Sequence, residues 1–252
     1  MGKIVCFSNQ KGGVAKTTTT CAMAYQLQKL GFKVLVVDMD PQGNLSFSVG
    51  ANTEMSATIY DVLKGEIKTS FAIQHTPLVD VIPSNILLSG IELEFTGHGR
   101  EFLLKNAFEP IKNMYDFILI DTPPALSILT VNAFTASDYI IIPMLSDIFS
   151  LQGITQLYDT IERVKSYCNP NLKISGILLT KFNSRTRLAK EVRGTAEMIS
   201  EKFGIYLFKT SIRNSIAISE SQITQRDMIE SYPKNKAVND YIAFVDEFLS
   251  RL

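Results

Sequence analysis

The sequence of 252 residues lacks tryptophan altogether and contains only two histidines and three cysteines, Cys6, Cys21 and Cys168. Three widely spaced cysteines do not supply a disulfide framework, and their spacing does not fit a zinc or iron–sulfur site. Net charge is also missing, because 25 basic residues balance 25 acidic residues. No overall field therefore draws the chain to nucleic acid or anionic lipid, and such a partner would need a local patch. The cysteine usage favours a cytoplasmic location.

Long apolar runs and linkers rich in glycine, proline or serine are absent as well, so residues 1–252 are predicted to form one domain. The apolar residues instead occur in short continuous runs separated by segments of helical length, which is typical of strands buried on both faces. The predicted strands are 4–7, 34–37, 79–82, 117–120, 139–142, 174–179 and 205–208. This pattern predicts an α/β fold with a doubly wound, mostly parallel sheet and helices on both faces.

A glycine-containing loop follows the first predicted strand and precedes a helix predicted over residues 17–30. Residues 9–18 read NQKGGVAKTT. In this context, backbone N–H groups at the helix start can cradle phosphate oxygens. Lys16 would reach the β- and γ-phosphates of a nucleotide, and the Thr17 hydroxyl would bind Mg²⁺. The residues of the loop predicted to bind the cofactor are Gly12, Gly13, Val14, Ala15, Lys16, Thr17 and Thr18.

The loop departs from the strict pattern GxxxxGK[ST], because Gln10 and Ala15 occupy its two glycine positions. It resembles the deviant loop KGGxxK[ST] of the ParA/MinD family of ATPases, whose additional lysine corresponds to Lys11. The resemblance implies a P-loop NTPase fold, ATP and Mg²⁺ as cofactors, and slow hydrolysis of ATP. It also implies a homodimer in which Lys11 reaches phosphates bound by the partner subunit. Family members usually have glycine at position 15, and a methyl group there would cost about 1–2 kcal/mol if φ is positive.

Two acidic motifs end predicted strands at the carboxyl edge of the sheet, where α/β proteins bind ligands. Residues 37–42 read VDMDPQ and resemble the switch I motif of the family. This resemblance implies that Asp40 orients the attacking water and that Asp38 lies near Mg²⁺. Residues 121–124 read DTPP and resemble a Walker B and switch II motif, which predicts a contact between Asp121 and Mg²⁺. The predicted catalytic residues are Lys11, Lys16, Asp40 and Asp121, and the predicted metal-site residues are Thr17, Asp38 and Asp121.

Polar and basic residues after two later strands are candidates for contacts to the base and to DNA. Asn183 and Asn214 are the candidate base contacts, because an amide can both donate to and accept from adenine; the alternative for Asn183 is a turn residue. Residues 181–193 carry five basic side chains and one acidic one. They could contact DNA phosphates without reading bases, or form a solvated helix face. The predicted DNA contacts are Lys181, Arg185, Arg187, Lys190 and Arg213.

The family resemblance implies a nucleoid-associated ATPase that binds double-stranded DNA nonspecifically and acts with a ParB-like activator in plasmid or chromosome partitioning. No DNA-reading segment precedes Lys3, which favours a short, Soj-like member. A MinD-like nucleotide-gated switch with a protein or membrane partner and negligible turnover stays an alternative, as does a ligase similar to dethiobiotin synthetase. The tail, residues 236–252, is amphipathic but carries three acidic residues on its polar side. We therefore expect it to pack on the sheet, with no membrane partner.

Overall fold

The computed structural model describes residues 2–145, 150–183 and 187–252. Within these residues the chain alternates between strands and helices, and the strands form one eight-stranded sheet. The strands are β1 (Lys3–Phe7), β2 (Val34–Asp38), β3 (Gln74–His75), β4 (Asp80–Ile82), β5 (Phe117–Asp121), β6 (Tyr139–Leu145), β7 (Lys173–Thr180) and β8 (Leu207–Ser211). The α-helices are α1 (Lys16–Lys29), α2 (Asn44–Ser48), α3 (Ile59–Leu63), α4 (Ile91–Glu94), α5 (Leu103–Phe108), α6 (Ile128–Ala136), α7 (Ser150–Tyr167), α8 (Arg187–Phe203), α9 (Ile216–Ile223), α10 (Met228–Ser231) and α11 (Lys236–Leu249).

The order of the strands places β1 near the middle of the sheet. The order is β3-β4-β2-β5-β1-β6-β7-β8, and every neighbouring pair is parallel except β3 with β4. In this register Phe7 pairs with Asp121, and Asp121 pairs with Asp38. Because parallel strands end at the same edge, the loops that follow β1, β2 and β5 are brought together there.

Two hydrophobic clusters cover the two faces of the sheet. Alternate residues of β1 enter different clusters: Ile4 and Cys6 face one, and Val5 and Phe7 face the other. Helices α3 to α8 pack on the first face, whereas α1, α2 and α9 to α11 pack on the second. The strands are buried on both faces because helices cover each of them. The predicted doubly wound α/β fold is confirmed.

The sequence located seven of the strands but not all of their ends. β8 begins two residues later than predicted, at Leu207, and ends at Ser211. β3 was not predicted, because it has only two residues and pairs antiparallel at the sheet edge. Helix α1 spans Lys16–Lys29 and is followed by Gly31 with φ of 91°. That left-handed glycine ends the helix as predicted.

The C-terminal helix α11 packs on the rest of the protein, as expected. Its buried residues include Val238, Tyr241 and Phe244, and it contacts α1 and β8. On its polar side, Glu247 accepts hydrogen bonds from the backbone N–H groups of Lys209 and Thr210 at 2.8 and 2.9 Å and from a tyrosine hydroxyl. Helix α11 is therefore joined to β8 through a carboxylate as well as through its apolar face. Within the described ranges, no helix has the length and apolar character needed to cross a membrane.

Candidate nucleotide site

An open cavity of about 580 Å³ lies at the start of α1, at the carboxyl edge of the sheet. Residues from the glycine-containing loop, the segment after β2, the segment after β5, the end of β7 and helix α9 line it. They are Gly12, Gly13, Ala15, Lys16, Thr17, Thr18, Asp40, Gln42, Asn44, Phe47, Ser48, Pro124, Lys181, Ser219, Gln222 and Ile223. The sheet thus brings together residues of the three motifs that the sequence predicted to act together.

The loop has two residues in the left-handed region of backbone conformation. Gly13 has φ of 74°, and Ala15, which caps α1, has φ of 66° and ψ of 34°. Glycine adopts this region without steric cost, but the Cβ of alanine approaches the following carbonyl oxygen. Because φ of Ala15 is positive, its methyl group strains the loop by about 1–2 kcal/mol.

Lys16 lies across the loop with its ammonium group held by backbone oxygens. Its Nζ donates to the carbonyl oxygen of Asn9 at 3.2 Å and to that of Lys11 at 3.4 Å. Only 7% of Lys16 is exposed, and its burial lowers the pKa of the ammonium group, against the raising effect of Asp121 and Asp40. The site therefore contains a buried cation that lines a cavity large enough for a polyphosphate.

Asn9 and Thr180 join this loop to the neighbouring strands. The Asn9 side chain donates to the carbonyl oxygen of Pro143 in β6 at 2.7 Å, and its Oδ1 accepts from the Lys11 N–H at 3.0 Å. The Thr180 hydroxyl, at the end of β7, lies 3.0 Å from the carbonyl oxygen of Val14. The loop is thus held from β6 and β7 as well as from its own strand.

Thr17 and Asp121 form the pair on which a metal site would depend. The Thr17 hydroxyl donates to Asp121 Oδ2 at 2.5 Å. Asp121 is fully buried, and its Oδ1 has no hydrogen-bond partner among the described residues. Burial, followed by the charge of Asp38, raises the pKa of Asp121 well above its usual value. An unpartnered buried carboxylate oxygen is costly, and a cation beside it would offset that cost.

Asp38 has a structural environment that the sequence did not indicate. Its Oδ2 accepts from the N–H and the hydroxyl of Ser46 at 2.8 and 2.7 Å, and its Oδ1 accepts from the N–H of Asp40 at 3.0 Å. Burial raises its pKa to about 6, against the lowering effect of these bonds. Asp38 therefore anchors α2 and the backbone of Asp40, and its predicted proximity to Mg²⁺ stays a prediction.

Two predicted residues of the loop do not line the cavity. The side chain of Val14 is buried in the core, with 1% exposure. Lys11 also does not line the cavity at the start of α1. A nucleotide in this cavity could therefore contact only the backbone of Val14. The role predicted for Lys11, a contact with phosphates bound by a partner subunit, does not require Lys11 to line the cavity of its own subunit and stays a prediction.

The candidate base contacts lie in a second cavity of about 640 Å³. Asn183, after β7, and Asn214, after β8, both line it, together with Arg213 and Asp240. The guanidinium of Arg213 donates to both oxygens of Asp240 at 2.6 and 2.8 Å. The two asparagines therefore line one cavity, and their contact with a base stays a prediction, whereas Arg213 has its charge compensated by an acidic neighbour.

The remaining predicted DNA contacts are not assembled into one strip by the described residues. Lys181 is exposed, has φ of 50° and lines the first cavity beside the phosphate loop. Arg185 lies outside the described residues, and so do the side chains of Arg187 and Lys190 at the start of α8. Their contacts with DNA stay predictions.

Sequence reasoning missed the contribution of α9 to the first cavity. Gln222 accepts a hydrogen bond from the Thr18 hydroxyl at 3.0 Å, although the two residues are 204 positions apart. Ser219 and Ile223 of the same helix also line the cavity. No local motif could reveal this contact, because it is created by the packing of α9 beside α1 and α2.

The fold and the loop together define a P-loop α/β protein of the deviant type, in which the second lysine precedes the glycines. A family model described as an AAA domain matches residues 2–174. The chain is 37% identical over 251 residues to the sporulation initiation inhibitor protein Soj of Bacillus subtilis (strain 168), with 98% of each chain covered. It is 40% identical over 224 residues to the chromosome-partitioning ATPase Soj of Treponema pallidum (strain Nichols), with 88% of this chain and 87% of that protein covered.

Among solved structures, the chain is similar to cobyrinic acid a,c-diamide synthase from Mycobacterium smegmatis with bound ADP and magnesium. The two are 32% identical, with a TM-score of 0.87 and coverage of 99% of this chain and 94% of that chain. From these matches, the chain belongs to the ParA/Soj family. The resemblance inferred from its loop and acidic motifs is confirmed.

Proposed function

We propose that this chain binds ATP and Mg²⁺, hydrolyses ATP slowly to ADP and phosphate, and acts as a partitioning ATPase. In its ATP state it forms a homodimer and binds double-stranded DNA nonspecifically at the nucleoid, and a ParB-like protein stimulates hydrolysis. The observation that carries the proposal is the hydrogen bond from Thr17 to the buried Asp121, next to the buried Lys16 at the phosphate loop. Full-length similarity to proteins named as partitioning ATPases supports the same conclusion.

The residues present fit a magnesium ion that is shared with a nucleotide. The Thr17 hydroxyl and the unpartnered Oδ1 of Asp121 are oxygen ligands of the kind that Mg²⁺ prefers. The described residues contain no cluster of three or more histidine, cysteine, aspartate or glutamate side chains suited to hold a metal alone. Mg²⁺ usually takes one or two protein ligands and completes its shell with phosphate oxygens and water. When bound, the ion neutralises charge that develops on the transferred phosphoryl group.

The loop supplies the remaining contacts to the phosphates. The first N–H groups of α1 have no carbonyl partner within the helix, so they can donate to phosphate oxygens. Lys16 adds a buried positive charge, which interacts strongly with phosphate because little water screens it. Asn183 and Asn214 would bind the base from the second cavity. The phosphates then lie at the helix start and the base toward β7 and β8.

Asp40 would orient the water that attacks the phosphate. It lines the first cavity, with 8% exposure, and its Oδ1 accepts from the N–H of Gln42 at 3.0 Å. Its own N–H donates to Asp38, so both its backbone and its carboxylate are held. A fixed carboxylate can accept a proton from water in the direction of attack, and phosphoryl transfer depends mainly on such positioning.

DNA retention tests the partitioning function directly. Wild type with Mg²⁺ and ATP should bind arbitrary duplex DNA, and its affinity should fall steeply as salt rises. Lys16→Ala should not bind, because the variant cannot hold the triphosphate. Asp40→Ala should bind and fail to release, because nucleotide binding survives while hydrolysis does not. Lys29→Ala, which removes an exposed charge at the other end of α1, serves as the matched control.

The same assay separates partitioning from the alternative of a nucleotide-gated switch. Anionic liposomes replace DNA in a parallel set of tubes. Binding to liposomes with ATP, and none to DNA, would contradict the partitioning function. Binding to DNA that is equal with ATP, ADP or no nucleotide would contradict the nucleotide control of the proposal.

A further inference from the structure

Helix α9 lies between the two cavities and is bonded to both segments that face the phosphates. Asn214, two residues before α9, lines the second cavity, and Gln222 near its end lines the first. Gln222 Oε1 accepts from the Thr18 hydroxyl in α1 at 3.0 Å, and its Nε2 donates to Ser48 Oγ in α2 at 3.4 Å. One amide therefore joins three helices that meet at the phosphate cavity.

The hydrogen bonds follow one another from Thr18 through Gln222 to Ser48, and each group donates to the next. The Ser48 hydroxyl donates onward to the carbonyl oxygen of Asn44 at 2.8 Å, at the first residue of α2. Ser48 is thus an acceptor for Gln222 and a donor to Asn44. While the Ser48 hydroxyl is directed at Asn44, only a side chain with both a donor and an acceptor can form both bonds of Gln222. An aliphatic side chain of the same size removes both bonds.

A second contact holds the end of α9 in the same place. Gln225, just after the helix, has φ of 51°, and its Nε2 donates to the carbonyl oxygen of Phe47 in α2 at 2.9 Å. A left-handed glutamine persists only where the surroundings hold it. Helix α9 therefore cannot move away from α2 without breaking specific bonds, and a shift of either helix is transmitted to the other.

We propose that Gln222 is a positioning residue that couples the nucleotide site to α9. It fixes the separation between Thr18, which follows the predicted magnesium ligand Thr17, and α2, which follows Asp40. A nucleotide that displaces either segment changes the position of α9, and the position of α9 in turn affects how Asp40 is held. This inference rests on the proposed ATPase function, because it names the regulation of that site.

Hydrogen exchange and turnover together test the coupling. Backbone amide exchange of residues 216–223 is measured by mass spectrometry in the full chain, with and without Mg²⁺ and ATP. In wild type, we expect the nucleotide to change exchange in α9 by about tenfold, within the usual range of coupling between sites. Gln222→Met should show less than about a twofold change, with kcat lowered about tenfold and KM for ATP altered by less than about threefold.

Two further variants separate coupling from a general loss of structure. Gln222→Glu keeps the acceptor for the Thr18 hydroxyl, and it can accept from the Ser48 hydroxyl once that hydroxyl turns away from the carbonyl oxygen of Asn44. The nucleotide should therefore again change exchange in α9, while the added negative charge weakens ATP binding. Gln156→Met, on the exposed face of α7, should behave as wild type in both measurements.

The outcomes for the inference and for the proposed function are distinguishable. Wild type that binds no fluorescent ATP analogue overturns both. Wild type that binds the analogue, combined with a nucleotide response of Gln222→Met equal to wild type, overturns the inference alone. A response lost equally in Gln222→Met and Gln222→Glu also overturns it, because glutamate retains the contact with Thr18 and can regain the one with Ser48, whereas methionine can form neither.

Discussion

Replacing Ala15 by glycine should stabilise the protein, although glycine usually destabilises the interior of a helix or strand. Ala15 has φ of 66°, where a methyl group costs about 1–2 kcal/mol. Glycine removes this strain but adds about 0.5–1 kcal/mol of chain entropy to the unfolded state. The middle of each range gives a net gain for Ala15→Gly of about 0.7 kcal/mol. In a chain of this size it corresponds to a rise in Tm of about 1–3 °C, measured by differential scanning calorimetry without nucleotide.

A matched substitution gives the opposite sign. Ala243 is exposed in the middle of α11, where the backbone is a right-handed helix. Ala243→Gly should lower stability by about 1 kcal/mol, because glycine has a poor helix propensity and no strain is relieved. The contrast between the two alanines tests backbone conformation alone, since the chemical change is identical.

The effect of Ala15→Gly on nucleotide binding is a separate prediction. We expect the loop to keep its left-handed residues at positions 13 and 15 when a nucleotide binds, so the strain at Ala15 should be the same with and without nucleotide. We expect the Kd for a fluorescent ATP analogue to change by less than about threefold. A lower Tm for Ala15→Gly would refute the assignment of strain. A tenfold gain in affinity would show instead that alanine resists the bound conformation of the loop.

Three further predictions concern the carboxylate on α11, the sheet and the cavity. For Glu247, burial acts to raise the pKa, but hydrogen bonds from two backbone N–H groups outweigh it and lower the pKa. The stabilisation that Glu247 provides is therefore present above the unfolded pKa and disappears as the pH falls through the folded pKa. Urea titrations of Glu247→Gln should show that the free energy of unfolding is about 1 kcal/mol lower than in wild type at neutral pH and that this difference shrinks near pH 3. An equal difference at both pH values would contradict this reasoning, and Asp246→Asn, at an exposed position of the same helix, is the control. Gly176→Ala places a Cβ 2.7 Å from a carbon of the Phe208 ring and should lower the free energy of unfolding by about 3 kcal/mol. The control is Gly153→Ala, whose Cβ meets no atom within 4 Å and should have no such cost. Equal melting temperatures of the two variants would refute this prediction. Lys181→Met should weaken binding of an ATP analogue about threefold to tenfold at low salt and less at high salt, because this lysine lines the phosphate cavity; unchanged affinity at low salt would show that its charge does not reach the phosphates.

The central strands and the loop could be predicted from the sequence because their signals are local. Continuous apolar runs located β1, β2 and β5, and the motifs after them identified Lys16, Thr17 and Asp121. The loop pattern also indicated that Ala15 stands at a position usually taken by glycine, where alanine is strained if φ is positive. Strand ends at the sheet edges were less accurate, because β8 and the two-residue β3 are stabilised by one neighbouring strand each.

Contacts between distant segments could not be predicted in this way. The bond from Gln222 to Thr18 and the bonds from Ser46 to Asp38 join residues that no motif relates. The pairing of Arg213 with Asp240 likewise depends on where α11 packs against the end of β8. In each case charge or hydrogen-bonding capacity was visible in the sequence, whereas the partner was set by tertiary packing.

The long separations within the phosphate site have a consequence for synthesis of the protein. Thr17 is bonded to a residue 104 positions later, Val14 to one 166 positions later, and Thr18 to one 204 positions later. Closing such loops is slow compared with forming a helix, and it requires the later residues to have left the ribosome. A nascent chain that has exposed only β1 and α1 therefore displays the complete lysine-and-glycine motif without the walls that hold it. The contacts that hold the phosphate loop are therefore complete only after the residues of α9 have been synthesised.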